Sequence, residues 1–154
     1  MKALALLGAV AACFGVAAVG SLFTTPSLAD WYADINKPSW TPPSWLFAPV
    51  WTLLFAMMAT AVWLVWLRAG FSGAPAALAL FAAQLVLNAL WSALFFAARN
   101  PGAAFAEVLV LWLAIAATAL LFARIDMIAA LLLIPYLIWV GFAAVLNFAI
   151  WRLN

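Results

Sequence analysis

The side chains able to do chemistry in this chain are few, and they fall on helical repeats. Gln84, Asn88 and Ser92 stand at i, i+4 and i+8, with Trp91 three residues after Asn88. Tyr136, Trp139, Ala143 and Asn147 follow at i, i+3, i+7 and i+11. On a helix each set shares one face. Amides and hydroxyls there offer hydrogen bonds. Indoles offer flat π surfaces and are the most easily oxidised side chains at hand. Other chemistries lack their parts. There is no histidine and a single cysteine, Cys13. A zinc site, a Cys-His nucleophile, a Ser-His-Asp triad, a His-ligated haem and an intrachain disulfide are therefore all excluded, and no metal site is expected. Glu107 is the one acid inside an apolar run. It stands about 9 Å along its helix from Pro101, at 1.5 Å per residue. That depth suits snorkelling or pairing with an arginine better than proton-coupled transport, which wants a carboxylate near the midplane.

The elements that must position these residues are membrane helices. The chain has 154 residues, 72% hydrophobic and 6% charged, more apolar surface than a soluble domain of this size can hide. Five apolar runs, 3–23, 46–67, 76–98, 103–123 and 127–151, are long enough to span about 30 Å of hydrocarbon as helices. The alternation of strands is absent. The expected fold is an all-α integral membrane protein. It is a single domain over 1–154, a five-transmembrane-helix bundle with a long loop, 24–45, between the first two helices. The other breaks are short, so sequential helices should be antiparallel neighbours. Arg68 to Pro75 contains Gly70, Ser72 and Gly73. Asn100 caps a helix that starts with Pro101, and Asp126 caps the last one. Ser27-Leu28-Ala29 resembles a signal-peptide cleavage site and Val10-Ala11-Ala12-Cys13 a lipoprotein box. The run before the first is too long for an h-region, so a retained spanning helix is expected. Lys2, Arg68 and Arg124 fall on one face of the membrane and Lys37, Arg99 and Arg152 on the other, which leaves orientation open. A net charge of +2 is too small for a nucleic-acid partner.

The long loop concentrates the remaining signal. WYADINKPSWTPPSW (31–45) holds Trp31, Trp40 and Trp45, three prolines, Asp34 and Lys37. Prolines favour an extended path with few donors to satisfy, and aromatics suit the headgroup layer. Below it, Pro49 and Trp51 open the second span, with Leu54, Phe55 and Met58 at core spacing. The Gln84/Asn88/Ser92 stripe reads equally as helix–helix hydrogen bonding, at ~0.6 kcal/mol per bond, or as a cavity wall. Pro135 is expected to kink the fifth span beside Tyr136. Trp63, Trp66 and Trp151 suit an interfacial belt, and Trp112 lies deeper. Small residues at Ala79/Ala83 and Ala89/Ala93 would permit close helix approach.

These motifs together resemble the tryptophan-rich sensory protein or translocator protein family (TspO/MBR, the peripheral-type benzodiazepine receptors). The residues that carry the resemblance are Trp31-Tyr32, Asn36-Lys37-Pro38-Ser39-Trp40-Thr41-Pro42-Pro43, Ala48-Pro49-Val50-Trp51, Gln84 through Trp91, Phe95-Phe96, Pro135-Tyr136-Leu137-Ile138-Trp139, Ala143 and Leu146-Asn147-Phe148. The resemblance covers nearly the whole chain in order. It implies a bacterial member, an integral multi-pass protein with inner and outer membrane both open. It also implies a homodimer with a ligand cavity in each bundle under the first loop, and ligands such as protoporphyrin IX and other flat apolar molecules. The ligand-binding residues it implies are Trp31, Tyr32, Trp40, Ala48, Pro49, Trp51, Phe55, Gln84, Asn88, Trp91, Tyr136, Trp139, Ala143 and Asn147. The animal sterol motif wants a tyrosine where Phe148 stands, which argues against cholesterol binding of that type.

On this reading the protein binds porphyrins in tetrapyrrole sensing, transport or scavenging, with membrane lipid around it and no required cofactor. Flat π systems suit tryptophan walls, and a histidine-free pocket suits a metal-free porphyrin. Asp34 and Lys37 would keep the loop wet outside, hold it to the bundle or receive ligand carboxylates. Light-dependent oxidative degradation of bound porphyrin, with Trp51 and Trp139 as redox partners, is the alternative. A structural or assembly role is the further one.

Overall fold

A computed structural model describes residues 1–154. The chain folds into helices α1 (Lys2–Leu28), α2 (Trp31–Asp34), α3 (Phe47–Gly73), α4 (Pro75–Ser92), α5 (Pro101–Ala123) and α6 (Met127–Leu153). A 3-10 turn, Ser44–Leu46, leads into α3, and a π turn, Ala93–Ala97, extends α4. All but α2 are long and apolar enough to cross a membrane.

Helix ends follow the expected chemistry. The Asn100 side chain accepts from Ala103 N at 3.0 Å ahead of Pro101. Asp126 accepts from Ile128 N and Ala129 N at 2.8 and 3.1 Å. These satisfy orphan donors of the first turn. Asp126 also takes Arg68 Nε at 3.0 Å, tying the end of α3 to the α5–α6 turn.

Three boundaries differ from the sequence reading. The first helix runs through Pro26 to Leu28 instead of ending near 23. Its last turn is pinned to α4, where Ser27 Oγ donates to Phe96 O at 2.9 Å. The connection after it is therefore shorter than 24–45, and it is not uniformly extended, because it carries α2 and the 3-10 turn. The second span continues past 67 to Gly73, broken at Gly70 (φ 64°), a conformation that glycine adopts without a Cβ clash.

Sequential order does not set the neighbours throughout. The α3 and α4 helices, joined through Ala74 alone, touch only slightly. Instead α1 packs against both of them, α3 packs on α6, and α5 bridges α6 and α4. The bundle closes as a ring in the order α1, α3, α6, α5, α4. Leu54, Phe55 and Met58 are buried in the main core, as their spacing predicts, with Phe81 stacked on Phe122 at 5.8 Å. A second cluster, at the end carrying α2, comprises Tyr32, Phe95, Phe96, Ala104, Leu146 and Ile150. Ala79, Ala82 and Ala83 are exposed on the outer face of α4, opposite the buried Gln84.

The tryptophans outside the loop use their N–H groups variously. Trp63 donates to Lys2 O at 3.1 Å and Trp112 to Leu137 O at 3.1 Å, each linking two helices. Trp151 is exposed and stacks on Phe105. The Trp66 indole N–H is buried with no acceptor, while its ring meets Phe71 edge-on.

Candidate functional site

An aromatic cavity lies at the α2 end of the bundle. Tyr32 enters it from the loop and Phe47 from the start of α3. The α4 helix and its π turn give Trp91, Phe95 and Phe96, and α6 gives Trp139, Phe142, Ala143, Leu146, Asn147 and Ile150. Asn147 is the only amide among the lining residues, and its groups are committed. Its Oδ1 accepts from Trp91 Nε1 at 3.0 Å, and its Nδ2 donates to Pro101 O at 2.7 Å. The rings interlock: Trp91 stacks on Phe95 at 5.2 Å, Phe47 meets Trp139 edge-on at 6.1 Å, and Trp139 lies against Phe142 at 5.6 Å. The free space between them is small, ≈ 30 Å³, about room for one water. The bundle is in a closed conformation. The rings as they stand leave no room for a flat macrocycle.

The loop is held down at identifiable points. Asp30 Oδ2 pairs with Arg99 Nη2 at 2.8 Å, across the α4–α5 turn. Asn36 and Asn154 bond reciprocally: Asn36 N donates to Asn154 Oδ1 at 3.0 Å, and Asn154 Nδ2 donates to Asn36 O at 2.9 Å. Trp31 packs edge-on against Phe95 and Trp40 against Phe142. Lys37 departs from expectation. It curls back so that Nζ donates to the carbonyls of Tyr32, Ala33 and Ile35 and sits 4.9 Å from the Tyr32 ring centre. In this arrangement it stabilises the end of α2 and is not free to receive a ligand carboxylate. Burial pushes the Tyr32 phenol above its ordinary pKa.

The residues singled out from the sequence thus divide. Tyr32, Trp91, Trp139, Ala143 and Asn147 line the cavity. Trp31 faces a wider outer cleft with Arg99, Trp151 and Asn154. Ala48 and Pro49 are exposed at the start of α3, and Trp40 is half-exposed on the loop. Trp51 packs on Phe55 and edge-on to Tyr136, one layer below the cavity. Phe55 is core. The polar stripe resolves into interhelical bonds. Asn88 Nδ2 donates to Tyr136 Oη at 2.9 Å, and Tyr136 Oη donates to Gln84 Oε1 at 2.8 Å. Ser92 is buried where α1 approaches at Gly20; a Cβ there would lie 3.3 Å from Ser92 Oγ.

Phe47, Phe95, Phe96, Phe142, Leu146 and Ile150 complete the lining and were not singled out as site residues. Leu146 and Ile150 continue the Trp139/Ala143 face at helical spacing, a signal that was available. Phe95 and Phe96 are adjacent and both buried, at the inward side of the helix end. They stand in the π turn over 93–97.

Glu107 is a correction. It neither snorkels nor pairs with an arginine; it is 9% exposed, and both carboxyl oxygens are buried without a hydrogen-bond partner.

Fold and site define a multi-pass α-helical membrane protein with an aromatic cavity closed under its first loop. Residues 9–152 match the model of the TspO/MBR family, and the chain belongs to that family. It is 49% identical to the tryptophan-rich protein TspO of Chlorobaculum tepidum, over 92% of this chain and 90% of that one. It is 41% identical to a protein of the same name from Archaeoglobus fulgidus, over 100% and 99% of the two chains. The sheep translocator protein is 44% identical, over 80% of this chain and 75% of its own.

Proposed function

We propose that the protein binds porphyrins such as protoporphyrin IX, and similar flat apolar molecules, in the cavity under the loop. It would act in tetrapyrrole sensing, transport or scavenging in a bacterial membrane, as a homodimer. The observation that carries this reading is the lining itself: stacked and edge-on rings from the loop, α3, α4 and α6 converge on one space. Large aromatic faces gain most from another flat π system, through area burial and offset stacking. The loop's polar ties, Asp30 to Arg99 and Asn36 to Asn154, are the contacts that opening breaks. They are exposed and individually weak, so most of the cost of opening lies in parting Trp31, Tyr32 and Trp40 from Phe95, Phe96 and Phe142. The test is titration of the detergent-solubilised protein with protoporphyrin IX, followed by tryptophan fluorescence. Saturable quenching, with protection of 29–46 from protease, is expected. Quenching that rises linearly without saturation would refute specific binding.

Light-driven degradation of the bound porphyrin is a second reading, favoured by the place of Trp139 in the lining. An excited ligand would sit against an oxidisable indole, with Trp51 a layer deeper. Trp139→Phe keeps an aromatic wall, so bleaching per bound ligand should slow far more than binding weakens. Equal bleaching rates would leave the binding role alone.

A further inference from the structure

Glu107 has a place in the bundle that the cavity alone does not explain. Gly102 lies against Trp151, Phe105 against Phe148 and Trp112 against Gly141. These contacts set an antiparallel α5–α6 register that brings Glu107 level with Leu146, a residue of the cavity wall. Ala104, one turn before Glu107 on the same helix face, is packed with Tyr32, Phe95, Phe96, Leu146 and Ile150. The carboxyl therefore lies at the level of Leu146, within the stretch of α6 that lines the cavity, although Glu107 is not itself one of the lining residues.

Nothing around it compensates a charge. The α4 span carries no ionisable side chain, and Arg99 beyond it is paired with Asp30. On α6 the ionisable groups are Tyr136, whose hydroxyl is engaged by Asn88 and Gln84, and the terminal Arg152, which is exposed; Asp126, its cap, is held by Arg68. The remaining buried ionisable groups are the Cys13 thiol on α1 and the Tyr32 phenol, which is in the cluster with Ala104, and both are neutral donors that carry no positive charge. An unpaired carboxylate in such a place is costly, and an acid within a membrane bundle marks a functional site. The neutral acid, by contrast, holds an O–H donor and acceptor capacity that the protein leaves unused.

We propose that Glu107 is a proton-binding site linked to the cavity. The proton is held in the closed, empty bundle and is released when a ligand bearing N–H donors or a cationic nitrogen fills the cavity. Such a group supplies the donors that let the carboxylate form. The proton leaves to solvent and the carboxylate keeps the electron pair, so no other reactant is needed. This linkage rests on the cavity being the ligand site.

Infrared difference spectroscopy tests it in lipid. Wild type minus Glu107→Gln should show a carboxylic-acid C=O band at neutral pH, and Glu107→Asp should shift that band. Loss of this band on adding protoporphyrin IX, with proton release recorded in weakly buffered solution, is the expected result. Proton release at saturating ligand should disappear in Glu107→Gln, with helix content retained and the ligand affinity no longer dependent on pH. A carboxylate at neutral pH in the empty protein would overturn the proposal. So would an acid band unchanged by a ligand whose binding is proven by quenching. Absence of quenching in wild type would refute the porphyrin reading and its linkage, while the acid band would still support proton binding at Glu107.

Discussion

Replacing Tyr136 by phenylalanine removes one oxygen atom from a fully buried position. That oxygen accepts from Asn88 Nδ2 and donates to Gln84 Oε1. The ring keeps its packing against Trp51, so no large cavity forms. Two interhelical bonds at ~0.6 kcal/mol each set a floor of about 1.2 kcal/mol. Leaving a buried donor and acceptor unmet adds to this, since each such group costs about 1–3 kcal/mol in soluble proteins. Gln84 Nε2 retains its contact to Met58 Sδ, which limits the penalty to the groups facing Tyr136. The expected loss is about 2–4 kcal/mol, the floor plus one unmet group, read from reversible unfolding in mixed micelles by circular dichroism. Asn88→Ala in a double-mutant cycle should couple to Tyr136→Phe, because the two residues share a bond. Tyr136 does not line the cavity, so protoporphyrin affinity should change by less than about threefold. A stability loss under about 0.3 kcal/mol would refute the network as a stabilising feature. A large affinity loss with intact stability would make Tyr136 a ligand contact.

Ala143→Leu pushes new volume between Trp139 and Phe142; overpacking costs about 1–3 kcal/mol, so titration should show affinity at least about tenfold weaker with helix content kept. Asp126 is held below the usual carboxylate range, first by the Ala129 N–H and then by Ile128 N–H and Arg68, against desolvation. A carboxyl lowered by folding stabilises above its unfolded pKa of about 4 and loses that contribution as pH falls through the lower folded value. Thermal unfolding should therefore show acid destabilisation that Asp126→Asn flattens. A homodimer through the exposed alanine face of α4 predicts that Ala79→Leu with Ala83→Leu shifts light-scattering mass toward monomer; an unchanged mass would put the interface on another helix.

Composition and apolar run length determined the membrane class and the number of spans. A helix that buries its backbone bonds locally needs only some 20 apolar residues in a row to cross. Asn100-Pro101 and Asp126 announced their helix ends because capping is a contact between near neighbours in the chain. The Trp139/Ala143/Asn147 face was legible because helical spacing alone places it. Non-local partners decided the rest. Whether Gln84 and Asn88 bond across helices or line a wall depends on Tyr136, which lies 52 and 48 residues away. Phe95 and Phe96 stand in a π turn that the apolar pattern did not mark. The extension of α1 through Pro26 depends on Ser27 reaching Phe96 O. Glu107 shows the limit most plainly. Its depth along α5 could be counted, but its rotation about the axis and the absence of a facing cation are set by how α4 and α6 pack around it. Those packings depend on which side chains of distant segments fit together, and that is fixed only when the bundle closes.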